Sequence, residues 1–232
     1  MLELLSFGST GHGDELLNGL LITVFVAIAS YLCALCLGIA FSFLALAKAR
    51  FIRAIWRVYR SIMMGVPSLI VIFIIYYNSP AFVAALTGRA VELSSMSAGI
   101  LALTLVYAAY MGEVFRGAIT NIPKGQFEAG HALGVRTLAL WRLVVLPQAF
   151  RLALPALSNI WMVVLKDTAL VSLVGLADLV RQSHVAANST QQPFLFYFVT
   201  LAAFLVLAGL SHSASRRIEA RLNPVPAQAR AR

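Results

Sequence analysis

Two carboxylates stand inside otherwise apolar stretches: Glu113 in YAAYMGEVFRGA and Asp167 in WMVVLKDTALV. An ionised carboxylate removed from water needs an ion partner or a hydrated path. In a membrane-spanning helix it marks a solute or ion route by default. Glu113 has Arg116 three residues on, on the same helix face, so an intrahelical ion pair competes with a role in a pathway. Lys166 and Asp167 are adjacent and point about 100° apart on a helix, so each needs a partner on another helix or subunit, or a solvated cavity. A third polar feature is the stretch FEAGHALGVRTLALWRLVVLP, Phe127 to Pro147, which carries a carboxylate, two arginines and a histidine.

The chemistry of an enzyme is missing around these groups. The sequence has no G-x-x-x-x-G-K-[ST] phosphate loop, no H-E-x-x-H pair and no G-x-S-x-G elbow. His12, His131, His184 and His212 are scattered and suggest no metal site. If the chain moves a solute uphill, another chain supplies the energy.

The surrounding elements are dictated by composition. Of 232 residues, 60% are hydrophobic and 12% charged, and the mean hydropathy is +0.86. One soluble core cannot hide that much apolar surface, so lipid must solvate much of it. Five apolar runs are long enough to span a bilayer: Leu17 to Ala47, Ile62 to Leu86, Ser97 to Val114, Leu152 to Val174 and Phe194 to Leu210. The first sixteen residues hold Glu3, Asp14 and Glu15 but no Lys or Arg. A cleaved export signal would start with a basic stretch, so the first run is expected to be a permanent span.

The 18 Lys and Arg residues orient the spans. Three groups of five fall in Lys48 to Arg60, in Arg116 to Arg151 and in the tail from Arg216 to Arg232; the loop after span two has only Arg89. Excess Lys and Arg marks the cytoplasm, which places the N-terminus outside and the C-terminus inside. The net charge of +9 is therefore read as topology and not as a nucleic-acid surface. Within the first basic group, Arg50, Arg53, Arg57 and Arg60 share one helical arc, opposite Phe51, Ile52, Ile55 and Tyr59, which predicts a short amphipathic helix at the cytoplasmic surface. Cys33 and Cys36 lie within the first span and read as small apolar residues. Pro67, Pro147 and Pro155 mark bends in or beside spans.

By this orientation the polar stretch is a cytoplasmic hairpin. Pro123 suits the first turn of a helix running to Leu133, Gly134 suits a left-handed stop, and a second helix begins near Thr137. Ala129, Gly130, Ala132 and Gly134 are small enough to let another backbone approach, which predicts a docking surface.

At this point the chain resembles a known family. EAGHALGVRTLALWRLVVLP is similar to the EAA loop of ATP-binding-cassette (ABC) importer permeases: E-A-A, three residues, G, nine residues, I, one residue, L-P. Glu128, Ala129, Gly134, Leu146 and Pro147 keep the spacing, with Gly130 for the third-position Ala and Val144 for Ile. RSIMMGVPSLIVIFIIYY, departing over Ser61 to Met64, and YAAYMGEVFRGAITNIPKGQFEAG resemble segments of polar amino acid permeases. LKDTALVSLVGLADLVRQ resembles the subgroup serving histidine, lysine, arginine, ornithine and opines.

The resemblance implies an all-α integral membrane protein with five transmembrane helices, N-terminus outside and C-terminus inside, in the type I ABC importer permease fold. It divides the chain into an extracytoplasmic segment (1–16), a permease domain (17–215) with a coupling loop at about 120–149, and a basic tail (216–232). It implies a multi-pass subunit of the bacterial inner membrane that carries a polar amino acid inward. The implied partners are a second permease, identical or homologous, two cytoplasmic ATPase subunits that bind ATP and magnesium, and an extracytoplasmic solute-binding protein. No cofactor in this chain and no nucleic acid are implied. Glu128, Ala129, Gly130, Gly134, Leu146 and Pro147 become ATPase-coupling residues, and Asp167 and Glu113 candidates for the substrate pathway. Glutamine, glutamate or cystine as solute stays open, and so, more remotely, does a passive channel or a membrane-embedded enzyme.

Overall fold

The computed structural model describes residues 2–8, 11–88 and 92–222. Arg89, Arg230 and Arg232, and the tail beyond Leu222, lie outside the described residues. Helices dominate, and no strand occurs among the described residues. A short 3-10 turn, Leu2–Leu5, precedes α1 (Gly13–Leu46), α2 (Arg50–Gly65), α3 (Ser68–Thr87) and α4 (Ser95–Thr120). Then come α5 (Lys124–Ala132), α6 (Thr137–Leu140), α7 (Leu146–Asp167), α8 (Leu179–Thr190) and α9 (Pro193–Leu222). A π-helical turn, Trp141–Val145, joins α6 to α7, and α7 tightens into 3-10 geometry over Thr168–Val174.

α1, α4, the unit from Thr137 to Val174, and α9 are each long and apolar enough to cross a membrane. The fifth candidate is a bent pair, α2 with α3, turned through 104°. Five spans are thus present when that pair counts as one. The bend follows from Pro67, which lacks an N–H and pushes Val66 into extended backbone, φ −100 and ψ 132. The apolar run from Ile62 is therefore not one straight helix. Its first residues finish α2, and the span proper restarts at Ser68. The amphipathic helix expected at Arg50 to Arg60 is present as α2. The first span also starts earlier than expected, at Gly13, inside the segment assigned to the N-terminal arm.

Helices in lipid gain little from apolar burial against one another and rely on close packing of small residues. α1 obeys this. Its buried face is Gly19, Thr23, Ala27, Ser30, Ala34, Gly38 and Ser42 with Leu16 and Val26, while Leu21, Phe25 and Leu32 are exposed on the other side. The buried stripe lies on α4, whose own buried residues include Ala98, Gly99, Ala102, Ala108 and Ala109. A Cβ on Gly38 would stand 2.6 Å from Cβ of Met111, so only glycine fits that crossing. In its most apolar stretch α4 is 67% buried and α9 only 11%, which makes α4 the core and α9 the periphery.

Contacts give the helix directions. The Thr104 hydroxyl donates to the Ser30 carbonyl, and Gly38 meets Met111, so α1 and α4 run the same way. Tyr31 donates to the Leu157 carbonyl and Phe43 packs on Trp141, so α7 runs opposite. His12 meets the Phe196 ring at the start of α1, so α9 runs with α1. The basic groups around Lys48 to Arg60 and Arg116 to Arg142 consequently share one end of the bundle, as the orientation requires. At the other end α8 caps the bundle. Its N-cap Asp178 accepts from the Arg181 N–H at 2.9 Å, and the Thr23 hydroxyl accepts from the Leu179 N–H at 3.2 Å. No apolar run marks this segment in the sequence, which falls between the fourth and fifth runs.

Candidate functional site

The hairpin forms as its punctuation foretells. α5 starts after Pro123. It stops at Gly134, whose φ is +70. The Val135 N–H reaches the Gly130 carbonyl and the Gly134 N–H the His131 carbonyl, both at 3.0 Å. That paired closure satisfies two of the carbonyls a helix end leaves open, and it needs a left-handed residue at Gly134. The chain re-enters helix at Thr137, where the sequence places it.

Gly130 has a different role from the expected one. It is buried, and a Cβ there would lie 2.5 Å from Leu140 Cδ1. Its missing side chain seats Leu140 of the same hairpin and offers no room to an outside backbone. Phe127 and Phe43 flank Trp141 at centroid distances of 6.2 and 5.9 Å, which anchors the hairpin to the end of α1. The turn beyond Trp141 widens: the Leu146 N–H bonds to the Trp141 carbonyl, five residues back. Pro147 follows, unable to donate and sterically opposed to the carbonyl four residues earlier, so the widened turn relieves it.

The outer face of the hairpin carries Glu128, Ala129 and His131, all exposed. It also carries Leu133 and Leu138, 81% and 79% exposed. The sequence reading missed these two leucines. Their signal was available: both are large apolar side chains close to the Gly134 stop, in a segment whose orientation faces the cytoplasm.

The second cluster centres on Asp167. The Ser68 and Tyr107 hydroxyls both donate to its Oδ2 at 2.6 Å. Three elements, α3, α4 and α7, therefore converge on one carboxylate. Oδ1 accepts from no described residue, and the side chain is half-buried. Lys166 is exposed and forms no ion pair among the described residues.

Glu113 behaves differently. Arg116 holds it through Nε and Nη2, and Arg60 of α2 adds an Nη1 contact at 3.1 Å. The intrahelical pair with Arg116 is present, and Arg60 turns it into a clamp between α2 and α4. No described metal-ligating cluster of three or more His, Cys, Asp or Glu residues occurs.

Residues 34–223 match a family described as binding-protein-dependent transport system inner membrane component. The chain belongs to that family. An octopine transport system permease protein of Rhizobium meliloti is 38% identical over 228 residues, 95% of each chain. An arginine ABC transporter permease of Haemophilus influenzae is 39% identical, covering 87% of this chain and 90% of the relative. A histidine/lysine/arginine/ornithine permease of Escherichia coli is 34% identical, covering 91% and 94%. Among solved structures, an amino acid ABC transporter with histidines shares 27% identity at a TM-score of 0.79, covering 90% of this chain and 94% of that one. A methionine ABC transporter matches at a TM-score of 0.71 and 21% identity, which speaks for the fold. The protein is thus an inner-membrane permease subunit of a binding-protein-dependent ABC importer, and ATP hydrolysis belongs to a separate ATPase subunit.

Proposed function

We propose that this permease imports a polar amino acid with a cationic side chain, or an opine, and that Asp167 meets the solute's positive charge. The observation that carries the reading is the half-satisfied carboxylate. Two hydroxyls fix Oδ2 from α3 and α4, and Oδ1 is left for a ligand. A charge-assisted bond to a guanidinium or ammonium suits that free oxygen. The arginine, octopine and histidine/lysine/arginine/ornithine relatives support the solute class. Of the two intramembrane carboxylates, Glu113 is already held by two arginines and serves as the tie that keeps α2 on α4.

The assembly in this reading has two permeases, two ATPases and one solute-binding protein outside. Glu128 to Gly134 seat on the ATPase, while Leu146 and Pro147 anchor the return into α7. ATP-driven closure of the ATPase pair draws the two hairpins together and rocks the spans. The test is ATP-dependent uptake of labelled arginine into vesicles holding permease, ATPase and binding protein. Uptake that proceeds without ATP would overturn the importer mechanism. Gly134→Val probes the coupling step. A β-branched residue at φ +70 costs about 1–3 kcal/mol of backbone strain, so uptake should fall several-fold while the protein stays folded. Full ATP-driven uptake by that variant would remove Gly134 from the mechanism.

A further inference from the structure

A cavity of about 470 Å³ opens at the cytoplasmic end of the bundle, between the end of α1, α2 and the last turns of α4. Five arginines line it: Arg50, Arg53, Arg57 and Arg60 from α2, and Arg116 from α4. Their ion pairs among the described residues all run to one carboxylate, Glu113, which takes Arg60 and Arg116. Arg50, Arg53 and Arg57 are exposed and have no carboxylate partner among the described residues. These exposed guanidinium groups stay hydrated, and together they give the cavity a positive potential that attracts an anion.

The sixth polar group at the cavity is Trp56. It is only 4% exposed, and its indole Nε1 is buried with no hydrogen-bond acceptor. Buried indole N–H groups ordinarily find a partner. This one cannot swing away to seek another. Phe41 and Tyr59 hold the ring at centroid distances of 5.6 and 5.9 Å. Beneath it lies Gly112, where a Cβ would come within 2.6 Å of the indole Cη2. The Tyr59 hydroxyl donates to the Leu105 carbonyl at 2.6 Å and fixes that side of α2. Trp56 lines the cavity, so its unpaired donor is held rigid beside the arginines.

We infer that this cavity binds a phosphate-bearing anion, with the arginines neutralising it and the Trp56 N–H donating to one of its oxygens. The opposite, apolar face of α2 favours a lipid headgroup as its source, because it lays the helix along the membrane interface. Phe51, Ile55, Val58 and Ile62 project outward from that helix, 50–76% exposed. They are placed to meet acyl chains while the arginines take the head. Basic pockets among spans on the cytoplasmic side suit anionic headgroups in this way. Occupancy would hold α2 against α4 at the point where the Glu113 clamp already joins them.

Native mass spectrometry of the full-length chain in neutral detergent tests the inference, with equimolar phosphatidylglycerol and phosphatidylcholine offered. Phosphatidylglycerol should be retained preferentially. The double variant Arg53→Gln/Arg57→Gln should weaken that retention by about fivefold for each arginine removed. Trp56→Phe keeps the ring contacts and should weaken it by about fivefold through loss of the donor. Both should leave phosphatidylcholine unchanged, and Arg216→Gln/Arg217→Gln, on α9, should change neither lipid. Added millimolar inorganic phosphate separates the sources. Displacement of the lipid names free phosphate as a ligand, resistance names the headgroup, and either upholds the anion site. Equal retention of both lipids overturns it. So does unchanged retention in the α2 double variant, or an equal loss in the α9 pair. Displacement of the lipid by the purified ATPase subunit would assign the cavity to an acidic protein surface and overturn it too. Arg53 and Arg57 make no ion pairs in the described chain, so an unaltered elution profile and helical circular dichroism should accompany every loss.

Discussion

Leu133→Asp should release the ATPase subunit from this permease, lowering their affinity by about a hundredfold. Leu133 is 81% exposed beside the Gly134 stop, at the tip of the cytoplasmic hairpin. A leucine side chain fully buried at a contact contributes about 1.5–3 kcal/mol, and the carboxylate put in its place must also be desolvated. At 1.4 kcal/mol per tenfold, burial alone accounts for about one to two decades. The bundle should not notice, because the Leu133 backbone N–H still reaches the Ala129 carbonyl and no core side chain is touched. Co-elution of permease with ATPase in detergent measures the loss, and circular dichroism checks the fold. Leu138→Asp, on the other side of the turn at 79% exposure, should act in the same direction. Unimpaired co-elution of both variants would move the ATPase contact away from the apolar tip. Gly134→Val makes a contrasting probe, since it strains the turn without removing contact area.

Much of this hairpin was legible in the sequence because local punctuation controls it. Pro123 and Gly134 fix backbone dihedrals by their own chemistry, and no distant contact is needed to read them. The long spans α1, α4 and α9 were legible for a similar reason, as continuous apolar runs bounded by charge. Legibility stops where contacts are made across helices. Ser68 and Tyr107 reach Asp167 from 99 and 60 residues away, and nothing near Asp167 announces them. Arg60 joins the Glu113 clamp from another helix, while the Arg116 partner, three residues along, could be read directly. Gly130 looked like space for a partner because one sequence cannot show that Leu140 folds back to fill it. α8 escaped because its stretch LVRQSHVAANST is polar and small-sided. It is held by the buried Asp178 cap and by packing on α1 and α9, not by an apolar run of its own.

Asp167→Asn should cut ATP-driven uptake of arginine by about ten- to a hundredfold, the range that loss of a charge-assisted hydrogen bond of about 1.5–3 kcal/mol gives. The amide retains the carboxylate's shape and keeps an oxygen to accept from Ser68 and Tyr107, so the convergence of α3, α4 and α7 is preserved. What it loses is the negative charge on the oxygen left free. Citrulline, the neutral isostere of arginine, separates charge recognition from scaffolding. If Asp167 meets the solute's positive group, the variant loses arginine uptake and leaves citrulline uptake near its wild-type rate. If Asp167 only ties three helices together, both solutes slow by the same factor. Tyr107→Phe provides the complementary case: it removes one donor to Oδ2 and leaves the charge, so it should slow both solutes modestly and alike. Wild-type arginine uptake by Asp167→Asn would take the solute contact away from this carboxylate altogether.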